Sequence, residues 1–136
     1  MVKVKHIHHM TLVVSDKDLG KVRDFYGRVL GLRDIKRPDV KVPGLWFGQH
    51  SNELHIAVNK ELKSGRTNMS LVGPDRGREG RHVAFTLDGS LDDIAKNLEA
   101  EGIPYARGGG GLPQIFCEDP SGNFLELNTG WYQEPL

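Results

Sequence analysis

The stretch His-Met-Thr-Leu-Val-Val-Ser-Asp at residues 9–16 recurs in outline as His-Val-Ala-Phe-Thr-Leu-Asp-Gly at residues 82–89. Each copy opens with a histidine, continues with the alternation typical of a strand, and leads into a segment with helical periodicity. The glycines that end the two predicted helices, Gly31 and Gly102, are 71 residues apart. The same order of strand, capped helix, glycine and short strands therefore occurs twice, which predicts two copies of one folding unit.

After each predicted helix the chain continues as short strands and turns, so each half is predicted to fold as βαβββ. We expect an α+β protein made of two such modules, at about residues 5–60 and 80–130, joined by a polar linker at 59–80. A chain of 136 residues has the size of one compact domain, so residues 1–136 are predicted to form a single domain.

Alternation also predicts which face of each opening strand its helix covers. A strand is predicted from Val4 to Val14, with His9 on the face away from the helix. The second opening strand places His82 in the same way. The residues predicted to pack under the helices are Met10, Leu12 and Val14 in the first copy and Val83, Phe85 and Leu87 in the second.

Composition limits the classes of partner. With 18 basic and 18 acidic residues the formal net charge is zero, so nothing favours nucleic acid or an anionic membrane as partner. No apolar run approaches the roughly 20 residues of a membrane span, and no secretion signal is recognised. Cys117 is the only cysteine, which excludes an internal disulfide and fits a reducing compartment. We therefore expect a cytoplasmic protein with a small-molecule substrate.

Each half supplies one possible metal ligand early and one late: His9 and His55 in the first, His82 and Glu126 in the second. Imidazole nitrogen and carboxylate oxygen suit Zn, Fe, Ni, Co or Mn, so the pattern predicts one divalent metal ion per site. Two other interpretations stay open. His9 could belong to a solvent-facing N-terminal cluster with His6 and His8, or four protein ligands could form a closed tetrahedral zinc site.

Three motifs make the chain resemble the vicinal oxygen chelate superfamily, the group of glyoxalase I, extradiol dioxygenases and bleomycin resistance proteins. They are His-x-x-Leu-x-Val-x-Asp at 9–16, Phe-Tyr-x-x-Val-Leu-Gly-Leu at 25–32, and Asp-Pro-x-Gly-Asn-x-x-Glu-Leu at 119–127. The resemblance covers about residues 5–130. It implies that the two βαβββ modules form a curved half-barrel sheet with helices on the outside, around a divalent metal. Carried over by position, it gives the ligands as His9, His55, His82 and Glu126.

The resemblance implies a metal-dependent lyase or isomerase that acts on a small substrate with vicinal oxygens, through a metal-stabilised enediolate. Glu126 would then be the catalytic base. One alternative is an Fe(II) extradiol-type dioxygenase using His9, His82 and Glu126; it needs three open metal positions, which a bound His55 would obstruct. A metal-free drug- or metabolite-binding resistance protein is the other.

Several features bear on the substrate and the assembly. Val13 lies where bacterial glyoxalase I enzymes have an arginine for the glutathione carboxylate. No arginine follows Glu126, whereas a fosfomycin-type site would want basic residues near that position. Residues 107–111, Arg-Gly-Gly-Gly-Gly, are interpreted as a flexible entry to the next strand rather than an anion-binding nest. The linker is interpreted as solvated rather than as a lid built from its arginines. A homodimer is expected from the resemblance.

Overall fold

The computed structural model describes residues 1–49, 52–67, 80–109, 111–131, 133 and 135–136. The chain divides into two compact units, Met1–Gly65 and Arg66–Leu136, which we call the first and second modules. Residues 68–79, which make up much of the predicted linker and include two of its arginines, lie outside the described residues.

The first module contains four strands and one interrupted helix. Its elements are β1 (His9–Val14), a 3-10 turn (Asp16–Asp18), α1 (Leu19–Asp24), a π-helical turn (Phe25–Val29), β2 (Arg33–Asp34), β3 (Gly44–Gln49) and β4 (Asn52–Val58). The strands form one sheet in the order β1-β4-β3-β2. The pair β1 and β4 is parallel, whereas β3 runs antiparallel to both β4 and β2.

The second module repeats this topology. Its elements are β5 (Val83–Thr86), α2 (Leu91–Ala100), β6 (Tyr105–Arg107), β7 (Gln114–Glu118) and β8 (Phe124–Asn128). The sheet order is β5-β8-β7-β6, again with a parallel first pair and antiparallel neighbours. The predicted α+β class and the two βαβββ modules are therefore confirmed.

Helix starts and ends follow the predicted chemistry. The Ser15 hydroxyl accepts a hydrogen bond from the backbone of Lys17, and Ser90 forms a reciprocal capping box with Asp93. Gly31 and Gly102 have φ angles of 76° and 68°, which a residue with a side chain adopts only at a cost. Both glycines therefore end their helices as the sequence predicts.

The first helix differs from the continuous helix that the sequence predicts. After α1 the backbone widens into a π-helical turn, in which the amide of Leu30 donates to the carbonyl of Phe25, five residues earlier. The wide turn falls where two consecutive aromatic residues, Phe25 and Tyr26, are both buried. Tyr26 packs against Phe47 of β3 with ring centroids 5.9 Å apart.

The buried side chains follow the predicted alternation only in part, since Val83, Phe85 and Leu87 of the second module are half-buried. In β1, Val14 is buried and Leu12 partly buried, but Met10 is 38% exposed and so is not a core residue. The predicted strand from Val4 begins only at His9, because residues 1–8 are exposed and form no sheet ladder. No helix among the described residues is long and apolar enough to cross a membrane.

Candidate functional site

The first predicted pair lies on the parallel strands of the first module. In the register of β1 and β4, His9 is opposite Glu53 and His55 is opposite Thr11. His55 is thus displaced by two residues from the position facing His9, which keeps both side chains on one face of the sheet. Their rings stack with centroids 4.0 Å apart and an interplanar angle of 15°.

The second predicted pair has the same diagonal placement in the second module. Glu126 of β8 is opposite Ala84 of β5, two residues after His82. The Nε2 atom of His82 lies 3.3 Å from Oε1 of Glu126. Each module therefore brings one early and one late side chain together at an equivalent position.

The hydrogen bonding of His82 determines which ring nitrogen is available. Its Nδ1 atom lies 2.9 Å from the carbonyl oxygen of Gly80. Because a carbonyl oxygen only accepts hydrogen bonds, Nδ1 carries a proton, and Nε2 is the ring nitrogen that can offer a lone pair when the ring is neutral. A backbone hydrogen bond of this kind is what fixes the tautomer of a metal-binding histidine.

Glu126 is held by two amide side chains that the sequence interpretation did not assign to the site. Gln114 of β7 donates through Nε2 to Oε1 of Glu126, and Asn128 of β8 donates through Nδ2 to Oε2, both at 2.7 Å. Glu126 is only 3% exposed, so these donors replace the water that its carboxylate loses. Alternation places Asn128 on the same face as Glu126, but nothing in the sequence showed that its amide reaches the carboxylate.

His55 is held by aromatic contacts instead. The Trp46 ring lies parallel to it at 3.9 Å, so His55 is sandwiched between Trp46 and His9. Trp46 therefore lies on the face of the sheet that carries the candidate ligand His55. The Nε2 atom of His55 also lies 3.0 Å from Oε1 of Glu53, and this hydrogen bond lowers the pKa of the Glu53 carboxyl.

His9 is the most exposed of the four residues. Its Nδ1 atom lies 2.9 Å from Nδ1 of His8, and the rings of His8 and His6 stack at 6.3 Å. The N-terminal histidines thus do contact one another, as the alternative interpretation predicts. The same His9 ring also stacks on His55, so His9 contacts both the N-terminal histidine His8 and the other candidate ligand of its module.

A sequence model of the Glyoxalase/Bleomycin resistance protein/Dioxygenase superfamily matches residues 6–127. The chain belongs to this superfamily. A lactoylglutathione lyase of Agrobacterium tumefaciens has a similar structure, with a TM-score of 0.66, 24% identity, and coverage of 97% of this chain and 100% of that one. The fosfomycin resistance protein FosX of Listeria monocytogenes has a similar structure with a TM-score of 0.69 and 19% identity, and the match covers 95% of this chain and 94% of that one. A Bacillus anthracis protein assigned to the glyoxalase family has a TM-score of 0.70 and 22% identity, and the match covers 93% of this chain and 96% of that one.

The donor types of the second module fit a divalent metal of the kind used in this superfamily. Nε2 of His82 and Oε1 of Glu126 are a nitrogen and an oxygen donor atom 3.3 Å apart, and both donor types suit such an ion. Among the described residues, no group of three or more His, Cys, Asp or Glu side chains is placed to hold a metal ion. The four-ligand set therefore stays a prediction.

Two residues outside the pairs have structural roles. The Arg66 guanidinium donates through Nε to the carbonyl oxygen of Glu118 at 3.0 Å, so this linker arginine is tied to β7. Cys117 is fully buried in β7, and burial raises the pKa of its thiol to about 12. A thiol with so high a pKa stays protonated and unreactive.

Proposed function

We propose that this protein is a divalent-metal-dependent lyase or isomerase of the glyoxalase type, acting on a small substrate with vicinal oxygens. In this proposal His9, His55, His82 and Glu126 supply the metal ligands, and Glu126 is also the catalytic base. Membership of the superfamily and the equivalent placement of the two pairs both support it.

The observation that carries the proposal is the environment of His82. Its Nδ1–H donates to the carbonyl of Gly80, and its Nε2 lies 3.3 Å from Oε1 of Glu126. A purely structural histidine would be expected to donate a proton to that carboxylate. With Nδ1 as the donor, a neutral ring has none left for it, so the pair is suited to bind a cation.

When bound, the metal ion would supply a Lewis acid that stabilises negative charge on the substrate oxygens. The protein groups have separate tasks. The imidazoles contribute no charge, so three of them with one carboxylate would leave a divalent ion with a net charge of about +1. Glu126 would take a proton from the substrate carbon and return it to the neighbouring carbon, which is general acid–base catalysis.

The substrate is proposed only as a chemical class. Val13 occupies the position where an arginine would bind the glutathione carboxylate, and its exposed apolar side chain offers no such contact. The structures similar to this chain include a lactoylglutathione lyase and a fosfomycin resistance protein, but at these identities the likeness concerns the fold alone. A small dicarbonyl or α-hydroxycarbonyl compound, with or without another thiol, is therefore the substrate class that we propose to test first.

Metal binding can be measured through Trp46. The chain has two tryptophans, so the Trp131→Phe variant leaves only Trp46, which is stacked on the candidate ligand His55. Titration of this variant with Ni²⁺ or Co²⁺ should quench its fluorescence with a one-to-one stoichiometry. His82→Ala should weaken that binding by at least about 100-fold, because it removes a direct ligand. Unchanged affinity in His82→Ala would contradict the proposed ligand set.

Activity distinguishes the proposed reaction from its alternatives. The protein should be loaded in turn with Ni, Co, Zn, Mn and Fe(II), and given methylglyoxal with several thiols, then catechols under air. Isomerisation of a thiol adduct that is lost in Glu126→Gln supports the proposal. Dioxygen uptake with a catechol would indicate the extradiol-type oxygenase, and tight binding of a drug without metal would indicate a resistance protein. A cytoplasmic homodimer stays an expectation that sedimentation and fractionation can test.

A further inference from the structure

The Glu126 carboxylate is oriented by a hydrogen-bond network that the proposed reaction does not by itself explain. Both of its oxygens are occupied by amide donors, Gln114 Nε2 on Oε1 and Asn128 Nδ2 on Oε2. One donor comes from β7 and the other from β8 itself, so the carboxylate is fixed from two strands. We call Gln114, Glu126 and Asn128 the amide clamp.

The orientation of Asn128 is determined by its own neighbours. Its Oδ1 atom accepts hydrogen bonds from the Thr86 hydroxyl at 2.8 Å and from the Gly130 backbone amide at 3.0 Å. Reversing the amide would place an NH₂ group against the Gly130 donor and an oxygen against the carboxylate. Asn128 therefore has one orientation that satisfies all its contacts, and in it the NH₂ group faces Glu126.

Gln114 is placed by close packing instead. Its Oε1 atom is buried and has no hydrogen-bond partner among the described residues. Its Nε2 atom donates to Glu126, so only one end of the amide is hydrogen-bonded within the described part of the chain. The backbone of Gly108 passes directly over it: a Cβ atom added at Gly108 would lie 2.9 Å from Oε1 and 3.0 Å from Cβ of Gln114. The side-chain position of Gln114 therefore requires a glycine at position 108, the first residue of the glycine run.

We propose that Gln114 and Asn128 are positioning residues that hold Glu126 ready to bind the metal ion, and that Gly108 makes room for this arrangement. The proposal rests on the metal site proposed above. A carboxylate already fixed beside His82 loses little conformational freedom when a metal binds, so the clamp should raise metal affinity. Gln114 and Asn128 act on the metal ion only through Glu126, to which they donate their hydrogen bonds.

The Gln114→Met variant tests the clamp with little other disturbance. Methionine has nearly the same length and shape, and since Oε1 accepts no hydrogen bond from the described residues, the change chiefly removes the donor to Glu126. We expect the affinity for Co²⁺ to fall about 10-fold, as for other residues that support a ligand. The visible absorption of the cobalt-loaded protein should also change. Gln133→Met, at an exposed glutamine, is the matched control and should bind as the wild type does.

A second pair of variants reaches the same clamp without altering any of its side chains. Gly108→Ala should displace Gln114 and weaken Co²⁺ binding several-fold. Gly109→Ala should not, because a Cβ atom there meets nothing within 4 Å. Neither glycine has a positive φ, so alanine introduces no backbone strain at either position.

The outcomes separate this inference from the proposed function. Weaker Co²⁺ binding and an altered spectrum in Gln114→Met, with the metal-free variant still folded, support the clamp. Wild-type affinity in both Gln114→Met and Gly108→Ala would overturn the clamp and leave the metal site standing. If the wild-type protein itself binds no divalent metal, the proposed function fails and the clamp proposal fails with it.

Discussion

The two modules share a topology and the diagonal placement of their candidate ligands, yet they hold those ligands by different means. In the first module His55 lies between two aromatic rings, whereas in the second Glu126 lies between two amides. The register aligns the positions around them. The equivalent pairs are Trp46 and Phe116, Gly44 and Gln114, and Ala57 and Asn128.

The difference follows from what each ligand requires. A buried carboxylate loses strong hydration and needs donors on both oxygens, which the amides provide. A neutral imidazole is flat and largely apolar on its faces, so ring stacking is enough to place it. Position 44 could not carry an amide in any case, because a Cβ atom added at Gly44 would collide with the backbone carbonyl of Ile56.

The modules also present different ring nitrogens. In His82 the proton is on Nδ1, bonded to the Gly80 carbonyl, so Nε2 has the lone pair. In His55 Nε2 lies 3.0 Å from Oε1 of Glu53, and with Nε2 donating to that carboxylate, Nδ1 is the nitrogen that can offer a lone pair when the ring is neutral. Duplication of the fold therefore has not duplicated the chemistry of the site.

The largest expected effect comes from removing each module's buried ligand in turn. Glu126→Ala should lower Ni²⁺ affinity by at least about 100-fold. It should also destabilise the metal-free protein by about 2 kcal/mol, because two buried amide donors lose their acceptor. His55→Ala should weaken metal binding about 10-fold or more but cost only about 1 kcal/mol of stability, the value of its ring contacts.

Calorimetry and urea denaturation in the presence of a chelator measure the two quantities separately. His6→Ala is the control for His55→Ala, since it removes an exposed ring that stacks on His8. Equal destabilisation by Glu126→Ala and His55→Ala would contradict the distinction drawn between the modules.

A smaller effect, on stability alone, tests why the first module lacks an amide clamp. Gly44→Ala should destabilise the protein by about 1–3 kcal/mol, because β3 and β4 must separate to relieve the clash with Ile56. Gly20→Ala is the matched comparison within the same module. It lies in α1 with nothing within 4 Å of the added Cβ, so it should stabilise by about 0.5–1 kcal/mol. Denaturation midpoints that move alike would remove the steric explanation.

Much of the fold could be predicted because it depends on local signals. The serine caps, the glycines with positive φ, and the period-two alternation of β5 and β8 each specify their own neighbourhood. The start of β1 could not be predicted, because residues 4–8 alternate as a strand does, yet the strand begins only at His9. The π-helical turn was missed for a similar reason, since no residue type specifies it.

The candidate site was predictable only in part. Residue type and repeat spacing selected His9, His55, His82 and Glu126. The amide clamp depends on the cross-strand register between β7 and β8, which places Gln114 opposite Asn128 and two residues from the position facing Glu126. A sequence gives alternation within a strand but not register between strands, so Gln114 was not recognised.

The smallest expected effect concerns how the two helices begin. In the second module the Asp93 carboxylate accepts hydrogen bonds from the backbone and the hydroxyl of Ser90, and these bonds lower its pKa from the ordinary 3.8. At the start of the first module's helix the Ser15 hydroxyl accepts a hydrogen bond from the backbone of Lys17. Since the folded-state pKa of Asp93 is depressed, its stabilising effect is present at neutral pH and is lost as pH falls through that value.

Asp93→Ala should therefore lower the urea midpoint slightly at pH 7, and the difference from wild type should shrink steadily towards about pH 2. Asp88→Ala, at an exposed aspartate two residues before the cap, should match the wild type throughout. A difference between Asp93→Ala and wild type that stays constant with pH would show that the loss comes from packing. In that case the charge of the Asp93 carboxylate would not contribute to the stability of the second module's helix.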